Sequence, residues 1–141
     1  MDARLSAMEK EYVIDGSKVT SLEAFYDQIS ENLTPGAFWG RNLDAFDDVL
    51  RGDFGTPEDG FILRWKHSAV SKANLGYPET VRQLRLRLNR CHPTNRDSVQ
   101  DQLTEAEGGK GATVFDWLLE TFSYHGKGGE EAGDNVRLIL E

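Results

Sequence analysis

Cysteine is almost missing from this chain of 141 residues: Cys91 stands alone. Without a second thiol no internal disulfide can close, which fits a reducing compartment. Cys91 itself reads as a loop or helix-end thiol, since only His92 adjoins it as a base. Long apolar runs are missing too, and nothing approaches the roughly 20 residues that span a bilayer. The first ten residues carry no apolar stretch of the signal-peptide kind. The expectation is a cytoplasmic protein without a membrane anchor. Sequence motifs for common chemistry are equally scarce. Lys110 and Lys127 each precede Gly, so neither glycine stretch (108–111, 126–129) has the phosphate-loop form. His67, His92 and His125 are too far apart for metal-ligand spacing and read as surface or cap residues. No Ser-His-Asp or Cys-His arrangement has local support, so neither enzyme chemistry nor a cofactor is expected.

Positive charge is the other shortage. Sixteen Lys and Arg face 24 Asp and Glu, a net charge of −8. Such a chain is a poor ligand for nucleic acid, whose phosphates need Lys and Arg. It suits a basic partner, toward which its field would steer. The charge falls in blocks: residues 21–60 carry −7, residues 61–96 carry +7 and residues 97–141 carry −7. The basic block could touch RNA, but pairing with its acidic neighbours is the simpler use.

What is present fits one α/β domain. Residues 12–14 form a short β-type run ended by the turn pair Asp15-Gly16. Thr20 with Glu23 fits a capping box, and Leu22, Phe25, Ile29 and Leu33 recur at helical spacing. A second helix is predicted from Asn42, a good N-cap, to Gly52, a good C-terminal stop. Leu43, Phe46 and Leu50 share one side of it; Asp44, Asp47, Asp48 and Arg51 share another. Residues 61–63 read as a buried strand, and Trp65 to about Asn74 as a short helix. Pro78 opens a further helix, although residues 84–88 alternate as a strand would. Residues 95–107 are a polar helix, about 112–124 a strongly apolar one, and 136–140 a closing strand. Strands separated by helices imply a small parallel sheet. Residues 1–9 read as a flexible terminus. Trp39, Trp65 and Trp117 are assigned to the core, with Trp39 also placed to brace the loop beside the second helix.

The run Phe38-Trp39-Gly40-Arg41-Asn42-Leu43-Asp44-Ala45, continued by Asp48, Leu50 and Gly52 and then by Phe61-Ile62-Leu63-Arg64-Trp65-Lys66, resembles the barstar family. The likeness covers residues 10–75 well and 112–141 loosely. It leaves residues 76–111 as a helical insertion in a barstar-like domain spanning 10–141. It implies a three-stranded parallel sheet with helices packed around it, and an inhibitor of a small basic ribonuclease of the secreted, barnase-like kind. In that family the second helix and the loop before it plug the enzyme's active site. By resemblance Asp48 enters the phosphate pocket, Asp44 meets a basic residue, and Phe38, Asn42 and the backbone near Gly52 complete the contact. Glu120 stands where the family has a peripheral acid. Asp47 replaces a Trp of the family prototype, Arg51 a small hydroxyl residue and Asp53 an aromatic one. With this charged rim, Asp47 and Arg51 join the candidate contacts and imply a target other than barnase itself.

Three alternatives stand beside this reading. The three aspartates could be a plain solvated helix face. The fold could be a binding or regulatory module for another basic protein. The carboxylates could hold Mg²⁺ in a hydrolase, although no second carboxylate motif and no nearby His supports it.

Overall fold

The computed structural model describes residues 10–141; the terminus expected at 1–9 lies outside the described residues. Three strands, β1 (Glu11–Asp15), β2 (Phe61–Lys66) and β3 (Val136–Leu140), make one parallel sheet in the order β1-β2-β3. Six helices connect them: α1 (Leu22–Asn32), α2 (Leu43–Arg51), α3 (Ser68–Asn74), α4 (Tyr77–Arg90), α5 (Arg96–Glu107) and α6 (Val114–Tyr124). The α/β class, the parallel sheet and the order of elements are those expected. Register pairs Ile14 with Trp65 and Trp65 with Leu140.

Burial along β2 alternates, with Phe61, Leu63 and Trp65 fully covered and Lys66 exposed. A parallel sheet normally hides both faces; here one face takes the apolar core, and Glu11, Val13 and Lys66 lie exposed on the other. Arg64 crosses that second face, reaching Glu11 at 3.0 Å and Glu141 at 3.7 Å. The alternation also corrects the reading of Trp65. It is a strand residue, not the first of a helix, and its indole donates to Ser71 Oγ at 2.9 Å, which donates in turn to the Gly16 carbonyl at 2.8 Å. Nor does Thr20 cap α1. Ser21 does, accepting from the Ala24 amide at 3.0 Å, while Glu23 turns outward to Arg82 and Gln83.

The main core joins Phe25, Phe46, Trp65, Phe115 and Phe122 through edge-on and tilted ring contacts at 5.1 to 6.4 Å. Aromatic pairs prefer such geometries to face-to-face stacking. The 76–111 stretch folds as a pair of helices with its own small cluster of Leu84, Val99, Leu103 and Ala106. Residues 84–88 are helical because this cluster claims Leu84 and Leu88 at helical spacing. Trp117 packs against both clusters, only partly buried, and the Arg87 guanidinium lies 5.0 Å over its ring. Pairing of the basic block with its acidic neighbours is realised in Arg82–Glu23 and Arg85–Glu107, and Arg82 also pairs with Glu79 within the block.

Two polar side chains dock this helix pair onto the rest. Glu79 is 7% exposed and accepts from the Leu22 amide at 2.8 Å, placing a carboxylate at the positive N-terminus of α1. Burial works to raise its carboxyl, but Arg82, Gln83 and the Leu22 N–H together hold it below the ordinary value. Thr80 Oγ1 accepts from the Val114 amide at 2.9 Å and so ties α4 to the start of α6.

Candidate functional site

α2 is bounded as its sequence predicts. The Asn42 side-chain oxygen accepts from the Ala45 amide at 2.8 Å, and Gly52 closes the helix in the left-handed region at φ +100°. Gly52 is required twice over, because a Cβ there would also meet Glu58 Cα and the Thr56 carbonyl at 2.9 Å. The inner side of α2 buries Phe46, Val49 and Leu50 completely. Asp44 and Asp48 therefore face outward, as the spacing requires, whereas Asp47, expected on the same face, turns toward the buried His125.

The loop before α2 is anchored from beneath. Trp39 is 2% exposed, stacks edge-on against Tyr26 at 5.4 Å and donates from Nε1 to Ser30 Oγ at 2.8 Å. It is both a core residue and the brace of the loop. Arg41 takes a left-handed backbone at φ +50°, uncommon for a side chain of its size. Its guanidinium is held by Asp27 and by the Glu23 carbonyl at 3.1 Å. With its neighbours fixed, Phe38 projects 90% exposed.

The three aspartates differ in surroundings. Asp44 is exposed. Asp48 is half-exposed and paired with Arg51 at 2.8 Å, one turn along the helix. Arg51 reaches also toward Glu131 at 3.9 Å. Burial disfavours the Arg51 charge, but the Asp48 bond and the field of Asp47, Asp48 and Glu131 outweigh it and hold the guanidinium above its usual value. Asp47 is bound inward: its Oδ1 lies 2.8 Å from Nε2 of His125, whose Nδ1 lies 2.7 Å from Asp134.

His125 is entirely buried and is the C-cap of α6. The cap role agrees with expectation and a surface position does not. One ring thus links α2, the end of α6 and the turn before β3. Sequence reasoning passed over it, and over Asp134 and Glu131. A signal existed, because His125 follows Phe122 by three residues on the buried side of α6.

Glu120 is exposed on α6 and shares a groove of about 500 Å³ with Leu43, Asp47, Arg51, Trp117 and Tyr124. Asn42 and Asp44 border a second groove with Arg41 and Arg87 on the other flank of Leu43. The structure thus gathers Asp47, Arg51 and Glu120 on one side of α2 and Asn42 and Asp44 on the other. Asp48 lies with the first group through Arg51, and Gly52 closes the helix they share. Phe38 stands in the loop before α2. Among the described residues, no group of three or more His, Cys, Asp or Glu side chains is arranged to hold a metal ion. No helix there is long and apolar enough to cross a membrane.

The chain is thus a parallel α/β domain with acidic side chains on its second helix and an exposed aromatic on the loop before it. The chain matches the family model described as Barstar (barnase inhibitor) over residues 9–107, and it belongs to the barstar family. The matched stretch contains the loop, α2 and the helix pair; Glu120, His125 and Asp134 lie beyond it. No curated protein matches the chain.

Proposed function

We propose that this protein is a reversible, non-covalent inhibitor of a small basic ribonuclease, acting in the cytoplasm of the cell that makes the enzyme. α2 and the Phe38 loop fill the catalytic cleft. A ribonuclease holds RNA phosphate with Arg, Lys and His. A carboxylate on a rigid helix can take that place through charge-assisted hydrogen bonds. Asp48 is the residue assigned to the phosphate pocket and Asp44 to a neighbouring cation. Phe38 supplies apolar area, and Glu120 lies at the rim. The acid-rich surface raises the encounter rate with a basic enzyme. No cofactor and no bond-making step is needed.

The observation that carries this reading is the outward display of Asp44 and Asp48 on α2 together with a 90% exposed Phe38 on the braced loop that leads into it. The test is inhibition titration of small basic ribonucleases by Asp44→Ala and Asp48→Ala proteins, with thermal melts to show the fold intact. Each substitution is expected to weaken binding by about 2–5 kcal/mol, a magnitude drawn partly from the barnase–barstar pair and not from this chain. Undiminished binding by the double variant would refute the plug. The charged rim of Asp47, Arg51 and Asp53 favours a second reading, a module of this fold that binds another basic protein. Binding to a basic partner without loss of ribonuclease activity would select it.

A further inference from the structure

We propose that Arg51 is a built-in counter-ion that occupies the cation site of Asp48 until a partner displaces it toward Glu131, and that it thereby sets which basic enzymes α2 accepts. The proposal rests on the docking reading above and names the specificity element within it.

The geometry has three parts. Arg51 Nη1 sits 2.8 Å from Asp48 Oδ1, where an enzyme's arginine or lysine would have to sit. Arg51 Nη2 is already 3.9 Å from Glu131, on the segment after α6, so a second carboxylate is within reach of a small side-chain rotation. Glu131 is well placed to receive it, because its amide donates to the Tyr124 carbonyl at 2.9 Å and fixes the backbone there. Asp47 is the other anion near Arg51, and its Oδ1 is committed to His125. Glu131 is therefore the freer acceptor.

The exchange is cheap. Arg51, Asp48 and Glu131 are 36%, 45% and 44% exposed, and an ion pair so open to water shifts an equilibrium by about fivefold at most. An enzyme cation can outcompete it if it brings better geometry and burial. The selectivity comes from where Arg51 then goes. Moved to Glu131, its charge meets whatever the enzyme places over the C-terminal end of α2. A cation there finds Glu131 already neutralised and gains nothing from it, whereas a neutral or acidic group is relieved of an opposing carboxylate. This is discrimination by an element set against the wrong partner. The fitting enzyme carries a cation over Asp48 and none over Glu131.

Barnase, the enzyme in the family's description, is the probe. Its binding is measured for the wild type, Arg51→Ala, Glu131→Gln and the double variant, with Asp48→Ala as reference and melting curves for each. Arg51→Ala is expected to tighten binding about two- to fivefold, mostly through the association rate. Glu131→Gln is expected to weaken the wild type about two- to fivefold and to do nothing once Arg51 is gone. Weaker or unchanged binding by Arg51→Ala overturns the proposal, as does a Glu131→Gln effect equal in both backgrounds. If the wild type binds barnase only weakly, Arg51→Ala must still tighten that binding about two- to fivefold; if it does not, or if neither protein binds, the proposal falls and the docking reading stands for another ribonuclease. Loss of binding by Asp48→Ala without gain by Arg51→Ala refutes only the role of Arg51. Unchanged binding by Asp48→Ala refutes the docking reading beneath it.

Discussion

Replacing His125 with Ala removes a side chain that joins α2, the end of α6 and the turn before β3. Two contacts to carboxylates, at 2.8 and 2.7 Å, are lost together. A hydrogen bond to a charged group contributes about 1.5–3 kcal/mol. Here each must be discounted, because the Asp47 and Asp134 side chains keep 33% and 20% of their exposure and water will partly replace the ring. Adding the small cavity left by a fully buried imidazole, about 3 kcal/mol is expected overall. For a chain of this size that is a fall in Tm of about 10 °C. Urea unfolding followed by circular dichroism measures the free energy, and calorimetry the Tm. The pairwise part comes from a double-mutant cycle with Asp47→Asn, where a coupling of about 1 kcal/mol or more is expected. Strict additivity would show that the Asp47 contact contributes nothing, and a loss under 1 kcal/mol would refute the clamp as a whole. The variant should also bind less tightly than its stability alone explains, because α2 loses its tie to α6.

Other outcomes follow from the same geometry. Glu79→Gln should cost about 1–3 kcal/mol in urea unfolding, since it weakens the Arg82 pair and the charge at the N-terminus of α1. Glu79 and Glu23 both have carboxyls held below the ordinary 4.5. Their stabilisation is therefore complete above that pH and is lost as the pH falls through their lowered values, and an unfolding series over that acid range should show it less steeply in Glu79→Gln. Gly52→Ala should lower stability by more than 1 kcal/mol, from the strain of φ +100° and the approach of Thr56 and Glu58; a neutral effect on thermal melting would contradict the tight turn.

The features legible in the sequence were those set by near neighbours. Asn42 and Gly52 bound α2 through caps made within the helix and one residue beyond it, so its limits and its outward aspartates could be read directly. The parallel sheet followed from the alternation of strands and helices. Trp65 was misplaced because a strand covered on one face ends in charged residues that also suit a helix start. Ser21 displaced Thr20 as the cap because both neighbours are hydroxyl residues and only the backbone decides between them. The burial of His125 was readable from its spacing after Phe122, but its pairing was not, because Asp47 lies 78 residues away and no local pattern brings them together. The Arg51–Glu131 approach is hidden for the same reason, whereas Arg51–Asp48 is visible as a one-turn helix pair.

Trp117 belongs to two clusters at once, and Glu79 and Thr80 supply bonds that α1 and α6 need at their first turns. Excising α4 and α5 to leave a minimal domain would bare an indole and strip two helix ends of their partners in a single step. The helical pair is bound into the domain at both ends, so its removal is expected to cost the fold of α1 and α6 as well as its own.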